Sequence, residues 1–167
     1  MYKFFFSAHK WVGVVAAISL INLAGTGFLL LIKKQAAWIQ PPESKGSAPG
    51  RPAATFDAML SSLRGVPEAA VKEWKDVARV DLKPSSGVVK VTCKNRYEVQ
   101  LDAATAAVLQ VALRRSDFIE SIHDGSFFGD AVHAYLMPVI AVALVFLSFS
   151  GWYLWLAPFL RRRKRRG

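Results

Sequence analysis

The sequence predicts a membrane α-helical protein: two transmembrane helices with a small α+β domain between them. Three observations carry this. Residues 11–32 and 131–160 are two runs without Asp, Glu, Lys or Arg, and each is long enough as a helix to cross a hydrocarbon core of about 30 Å. All 12 Asp and Glu fall between Glu43 and Asp130, where Lys and Arg balance them. The net charge of +10 therefore comes from Lys3, Lys10, Lys33, Lys34 and the tail Arg161, Arg162, Arg163, Lys164, Arg165 and Arg166. Thirdly, hydrophobicity between the runs changes to an alternation of period two, the mark of half-buried strands. A composition of 53% hydrophobic and 20% charged residues excludes disorder as the overall class. Because the surplus charge flanks the apolar runs, no nucleic-acid partner is expected; the expected surroundings are a lipid bilayer.

The first helix, with the N-terminal end, is expected over residues 1–34. A cleaved signal peptide is the competing reading. Its apolar core is normally about 7 to 15 residues, shorter than this run, and Lys33-Lys34 does not resemble a cleavage site. Two spans place both termini on one side. The basic tail, 161–167, marks that side as cytoplasmic, with Lys33-Lys34 a minor contradiction. Trp11, Trp152, Tyr153 and Trp155 would lie at the inner interface, Trp38 and Tyr135 at the outer.

Residues 35–50 read as a linker, rich in Pro, Gly and Ser, whose composition favours no compact structure. A domain is expected over 51–115. Thr55 would cap a helix carrying Phe56, Met59, Leu60 and Leu63, which Gly65 would stop, and Pro67 would open a second helix through Trp74. Residues 77–82, 88–93, 97–101 and 108–113 read as four short strands of an antiparallel meander with helices on one face. Cys93, the only cysteine, is expected to pack as a small apolar residue. A juxtamembrane segment, 116–130, leads to the second span, 131–160, where Pro138 would introduce a kink. Asn22 and Thr26 form an i, i+4 polar pair read as interhelical glue, while Ser148, Ser150 and Gly151 form a surface for close helix approach.

Two sets of residues carry a resemblance. Residues 97–109, with Tyr97, Asp102 and Thr105, resemble the PepSY repeat, in which a tyrosine-bearing strand leads through Asp-x-x-Thr-Gly to another strand; Ala106 stands where that pattern has Gly. His9-Lys10-Trp11-Val12-Gly13-Val14, the stretch 121–130 containing His123-Asp124-Gly125, and Ser150-Gly151-Trp152-Tyr153 resemble the PepSY-associated transmembrane-helix proteins of bacterial inner membranes. The resemblance implies a small periplasmic PepSY-like domain on a multi-pass inner-membrane anchor.

The sequence has no HExxH, Gly-rich phosphate loop, CxxC or CxxCH motif and no Ser/His/Asp arrangement, so no catalytic residue is assigned. The informative residues are His9, His123 and His133, all at membrane boundaries. Imidazole is a common axial ligand to haem iron, and haem suits a helical bundle. His9 shares a helix face with Gly13, Ala16 and Ala17, which leaves room either for a porphyrin or for a packed helix. The alternative for His9 is an interfacial polar residue beside Lys10, for His123 a loop histidine, and for His133 the mere start of a helix. His123 and His133 on one unbroken helix would stand about 15 Å apart, so a shared site requires a turn at Gly125 or Gly129, or a second chain.

The reading is of b-type haem (haem b) held by His9, His123 and His133 in a homodimeric four-helix bundle, with an external electron donor. Larger members of the resembled family are associated with ferric-siderophore reduction, which implies iron reduction by a haem-dependent, ferric reductase-like oxidoreductase. The alternative is a non-enzymatic membrane module that binds or regulates a periplasmic partner such as a protease or transporter.

Overall fold

A computed structural model describes residues 1–164, with side chains through Phe159. It contains, in chain order, α1 (Tyr2–Leu31), α2 (Phe56–Arg64), β1 (Val77–Lys83), β2 (Val88–Cys93), β3 (Tyr97–Asp102), β4 (Val108–Leu113), α3 (Arg115–His123) and α4 (Met137–Lys164). Of the basic tail, 165–167 lie outside the described residues. Two compact units result: Leu31–Phe118, and Met1–Leu30 together with Ile119 onward.

The first unit is a four-stranded antiparallel sheet in the order β1-β2-β3-β4. Strand pairing aligns Val91 with both Val80 and Val99, and Val99 with Val111. This puts Val89, Val91, Cys93, Val99 and Leu101 on one face, against Met59 and Leu63 of α2 and Val66, Ala69 and Val71. The α2 boundaries follow their chemistry: the Ala58 N–H donates to Thr55 Oγ1 at 3.2 Å, and Gly65 caps the other end. The second helix expected from Pro67 through Trp74 is instead two single 3₁₀ turns, Pro67–Ala69 and Trp74–Asp76. Ala70 adopts a left-handed conformation (φ 52°) that ends the first, and Asp76 Oδ2 accepts the Lys72 and Glu73 N–H groups to begin the second.

The Asp-x-x-Thr turn after β3 also has a physical reason. Asp102 Oδ1 accepts the Ala104 and Thr105 N–H groups at 2.8 and 3.0 Å, and Ala106 follows with φ 61°. That conformation explains the glycine of the repeat pattern.

The opposite sheet face is polar yet buried, with Lys90, Thr92, Glu98, Gln100 and Asp102. The stretch expected to be an unstructured linker covers it. Ser44 N–H donates to Gln100 Oε1 (2.7 Å), Gln100 Nε2 donates to the Pro42 carbonyl (2.8 Å), and Ser47 N–H donates to Asp102 Oδ2 (2.6 Å). Lys90 pairs with Glu43 at 3.0 Å. Gly46 lies so close to Gly87 that a Cβ on it would stand 1.9 Å from the Gly87 carbonyl oxygen. The strap lacks regular secondary structure because the sheet, rather than its own backbone, satisfies its polar groups. Glu98, fully buried, accepts from Arg114 Nη1 (2.7 Å) and from Gln100 Nε2 (2.8 Å), and Arg114 Nε also donates to Asp117 (2.6 Å).

The second unit holds the two helices long and apolar enough to cross a membrane, spanning Tyr2–Leu31 and Val132–Phe159. The face of α1 with Gly13 and Ala16 receives α4: a Cβ on Gly13 would lie 3.7 Å from Leu147, and Ala16 is buried. The chain turns between α3 and α4 through Gly125 (φ 81°), a 3₁₀ turn Ser126–Phe128, and Gly129 (φ 115°). A π-helical turn, Val132–Leu136, then precedes Pro138, which lies in the first turn of α4; the proline inside that helix is Pro158. A wide turn ahead of a proline accommodates its missing N–H and its ring.

Candidate functional site

All three histidines belong to the helical unit. His9, on α1, places Nδ1 2.7 Å from Ser150 Oγ on α4. His123, the last residue of α3, places Nδ1 2.8 Å from Thr26 Oγ1 on α1. His133, in the π turn, places Nδ1 2.8 Å from the Asp124 backbone carbonyl.

These partners bear on the tautomer. A hydroxyl has one hydrogen. Ser150 spends its own on the Leu147 carbonyl (3.2 Å), and Thr26 spends its own on the Asn22 carbonyl (2.6 Å). Where those bonds hold the hydroxyl hydrogens, each hydroxyl oxygen accepts from the imidazole. A backbone carbonyl can only accept, so His133 donates from Nδ1. A neutral ring so placed carries hydrogen on Nδ1 and keeps a lone pair on Nε2. That is the arrangement by which protein groups orient a histidine for metal ligation.

The seats of His9 and His123 repeat one device. Each ring lies over a glycine that follows its hydroxyl residue: a Cβ on Gly151 would stand 3.3 Å from His9 Cε1, and one on Gly27 would stand 3.5 Å from His123 Cε1. The His123 seat has a second clamp, since Asn22 Nδ2 donates to the Ile122 carbonyl at 3.2 Å. Asn22 and Thr26 thus reach across to the segment bearing His123 rather than pairing by their side chains. Thr26 lies 17 positions beyond His9 on α1, which separates the two seats by roughly 25 Å at about 1.5 Å per residue.

The turn at Gly125 and Gly129 brings His133 beside Asp124, next to His123; His133 is exposed, and Asp124 Oδ1 lies 3.9 Å from its Nδ1. Burial raises the Asp124 pKa, but hydrogen bonds from Ser126 and the neighbouring His133 and His123 outweigh it and hold the carboxyl below its ordinary value. His9 stays apart from both. Among the described residues no three His, Cys, Asp or Glu side chains gather as a metal cluster. The seats of His9 and His123 thus offer single imidazole nitrogens rather than a cluster of donors. The sequence marked Thr26, Ser150 and Gly151 as helix-packing positions but not as the seats of His123 and His9. Their meaning depends on which helix faces them.

No curated protein and no solved structure matches the chain at a significant level. Residues 6–167 match the family described as the PepSY-associated TM region. With the sheet domain set between two candidate spans in the sequence and a match that covers nearly the whole length, the chain belongs to the PepSY-associated transmembrane family.

Proposed function

We propose that the protein is a bacterial inner-membrane electron carrier that holds b-type haem on His9 and His123 and passes electrons across the bilayer, with reduction of ferric iron or a ferric siderophore as the outcome. The observation that carries this reading is the pair of seats: two imidazoles near opposite ends of the helix pair, each fixed through Nδ1 with Nε2 uncommitted. When bound, haem supplies reversible one-electron chemistry. The chain's own residues would orient the ligands: Ser150 and Thr26 hold the Nδ1 side of each ring. Since the two seats are far apart within one chain, ligation from both faces of a haem calls for a homodimer, in which a two-fold axis brings equivalent histidines together. Both termini would be cytoplasmic and the sheet domain periplasmic, the orientation that the basic tail favours. His133, exposed and beside Asp124, is assigned to the His123 end.

Pyridine haemochrome content and reduced-minus-oxidised spectra of the purified protein test the reading. The expected result is a low-spin spectrum in which His9→Ala and His123→Ala each remove about half of the haem, because symmetry doubles each lesion. A haem-binding protein whose spectra neither substitution changes would overturn the ligand assignment. A colourless protein would favour the second reading, a membrane-anchored module that binds a periplasmic protein. That reading is favoured by a crevice of about 480 Å³ on the sheet domain, lined by Asn95, Arg96, Leu113, Arg114, Arg115 and Phe118.

A further inference from the structure

Within the helical unit a cavity of about 340 Å³ lies between α1, the end of α3, the glycine turn and α4; its lining includes Ile18, Ser19, Asn22, Ile122, Phe128 and Met137. The volume falls in the range of small-molecule sites. The lining residue Ile18 is exposed, so the cavity opens sideways from the helix pair. Two polar groups in this apolar wall have unused capacity. Among the described residues Ser19 makes no hydrogen bond, and Asn22 uses only its Nδ2, toward the Ile122 carbonyl, which leaves Oδ1 free to accept. An acyl chain has no use for such groups, whereas a flat ring with oxygen at its edges does. Ile122, in the cavity wall, directly precedes His123.

We propose that this cavity binds the head ring of a lipid-soluble quinol, which Ser19 and Asn22 hold by its oxygen atoms, and that this quinol is the electron donor. The donor role rests on the haem reading above; the binding site does not. Oxidation of one quinol to quinone releases two electrons and two protons. Haem held on His9 and His123 would supply the one-electron acceptors for this oxidation, and the protons would pass to water at the turn bearing Asp124.

Full-length protein in nanodiscs, with haem content measured on the same samples, would be titrated anaerobically with decylubiquinol, whose hydroxyls can donate to Asn22 Oδ1, and bound ligand read by equilibrium dialysis. The expected result is saturable binding of one ring per chain, weakened at least tenfold by Ser19→Leu, which fills the cavity, and by Asn22→Leu, which removes the acceptor. Ser19→Leu spares the Asn22 clamp, so it reports even where Asn22→Leu disturbs the turn. Binding that is linear in all three proteins, or equal displacement by decane, overturns the proposal and makes the cavity an acyl-chain crevice. Quinol binding without haem sinks the electron-transfer reading and the donor role with it while the site stands, and haem without saturable quinol binding sinks this proposal alone.

Discussion

The seats of His9 and His123 are built on the same plan and tied down to different degrees. His9 rests on Ser150-Gly151 with a single hydrogen bond across the helices. His123 rests on Thr26-Gly27, and its neighbour Ile122 is also held by Asn22. His9 sits within a long helix, so α1 itself positions its backbone. His123 is the last residue of a nine-residue helix running into a glycine turn, where backbone geometry alone would leave the ring free. An imidazole at a helix end needs more side-chain support than one within a helix to hold one orientation.

The largest expected effect comes from filling the glycine floor. Gly151→Val would drive methyl groups into the His9 ring and should destabilise the helix pair by about 1 to 3 kcal/mol, with Gly27→Val somewhat less harmful because its clearance is larger. Thermal unfolding in detergent measures both; an equal or reversed order would show that the two floors are not alike. Next come the hydroxyls. Thr26→Val and Ser150→Ala each leave an Nδ1 hydrogen without an acceptor, at a cost of about 0.6 to 2 kcal/mol, and should shift the ring toward the other tautomer. Imidazole ¹⁵N shifts report this directly, and Thr26→Ser should restore the wild-type pattern.

Asn22→Leu should cost about 0.6 kcal/mol and raise amide exchange in residues 119–125, with no change around His9. The smallest effect depends on pH. The folded-state pKa of Asp124 is lowered, so its ionised form stabilises the turn above the ordinary value near 3.8. That contribution is lost as pH falls below it. Acid should therefore speed exchange of the Ser126 amide relative to its intrinsic rate, and Asp124→Asn should abolish that pH dependence.

Much of this was legible in the residues. The charge-free runs gave the two candidate spans, and alternation gave β2 and β4 to the residue, because a buried strand face constrains every second side chain. Thr55 and Gly65 delimited α2 by cap chemistry. What stayed hidden depended on contacts distant in sequence. Residues 42–47 look like a flexible tether by composition, and only the polar face of β2 and β3 gives them partners, through Gln100, Asp102 and Lys90. The three histidines stood out as polar residues beside apolar runs, but the hydroxyl partners of His9 and His123 did not: Ser150 lies 141 positions from His9, and Thr26 lies 97 from His123. The kink assigned to Pro138 overlooked the π turn before it, which composition does not signal.

That wide turn has a consequence for how the chain tolerates insertion and deletion. Each residue added to or taken from a helix rotates everything beyond it by about 100°. The surplus residue in Val132–Leu136 therefore sets the rotational phase of α4, and with it the side of the helix on which Ser150 and Gly151 emerge. Loss of one residue there would turn both away from His9 while leaving every side chain around the imidazole unaltered. The geometry at one end of the helix pair is thus written partly as a count of residues at the other.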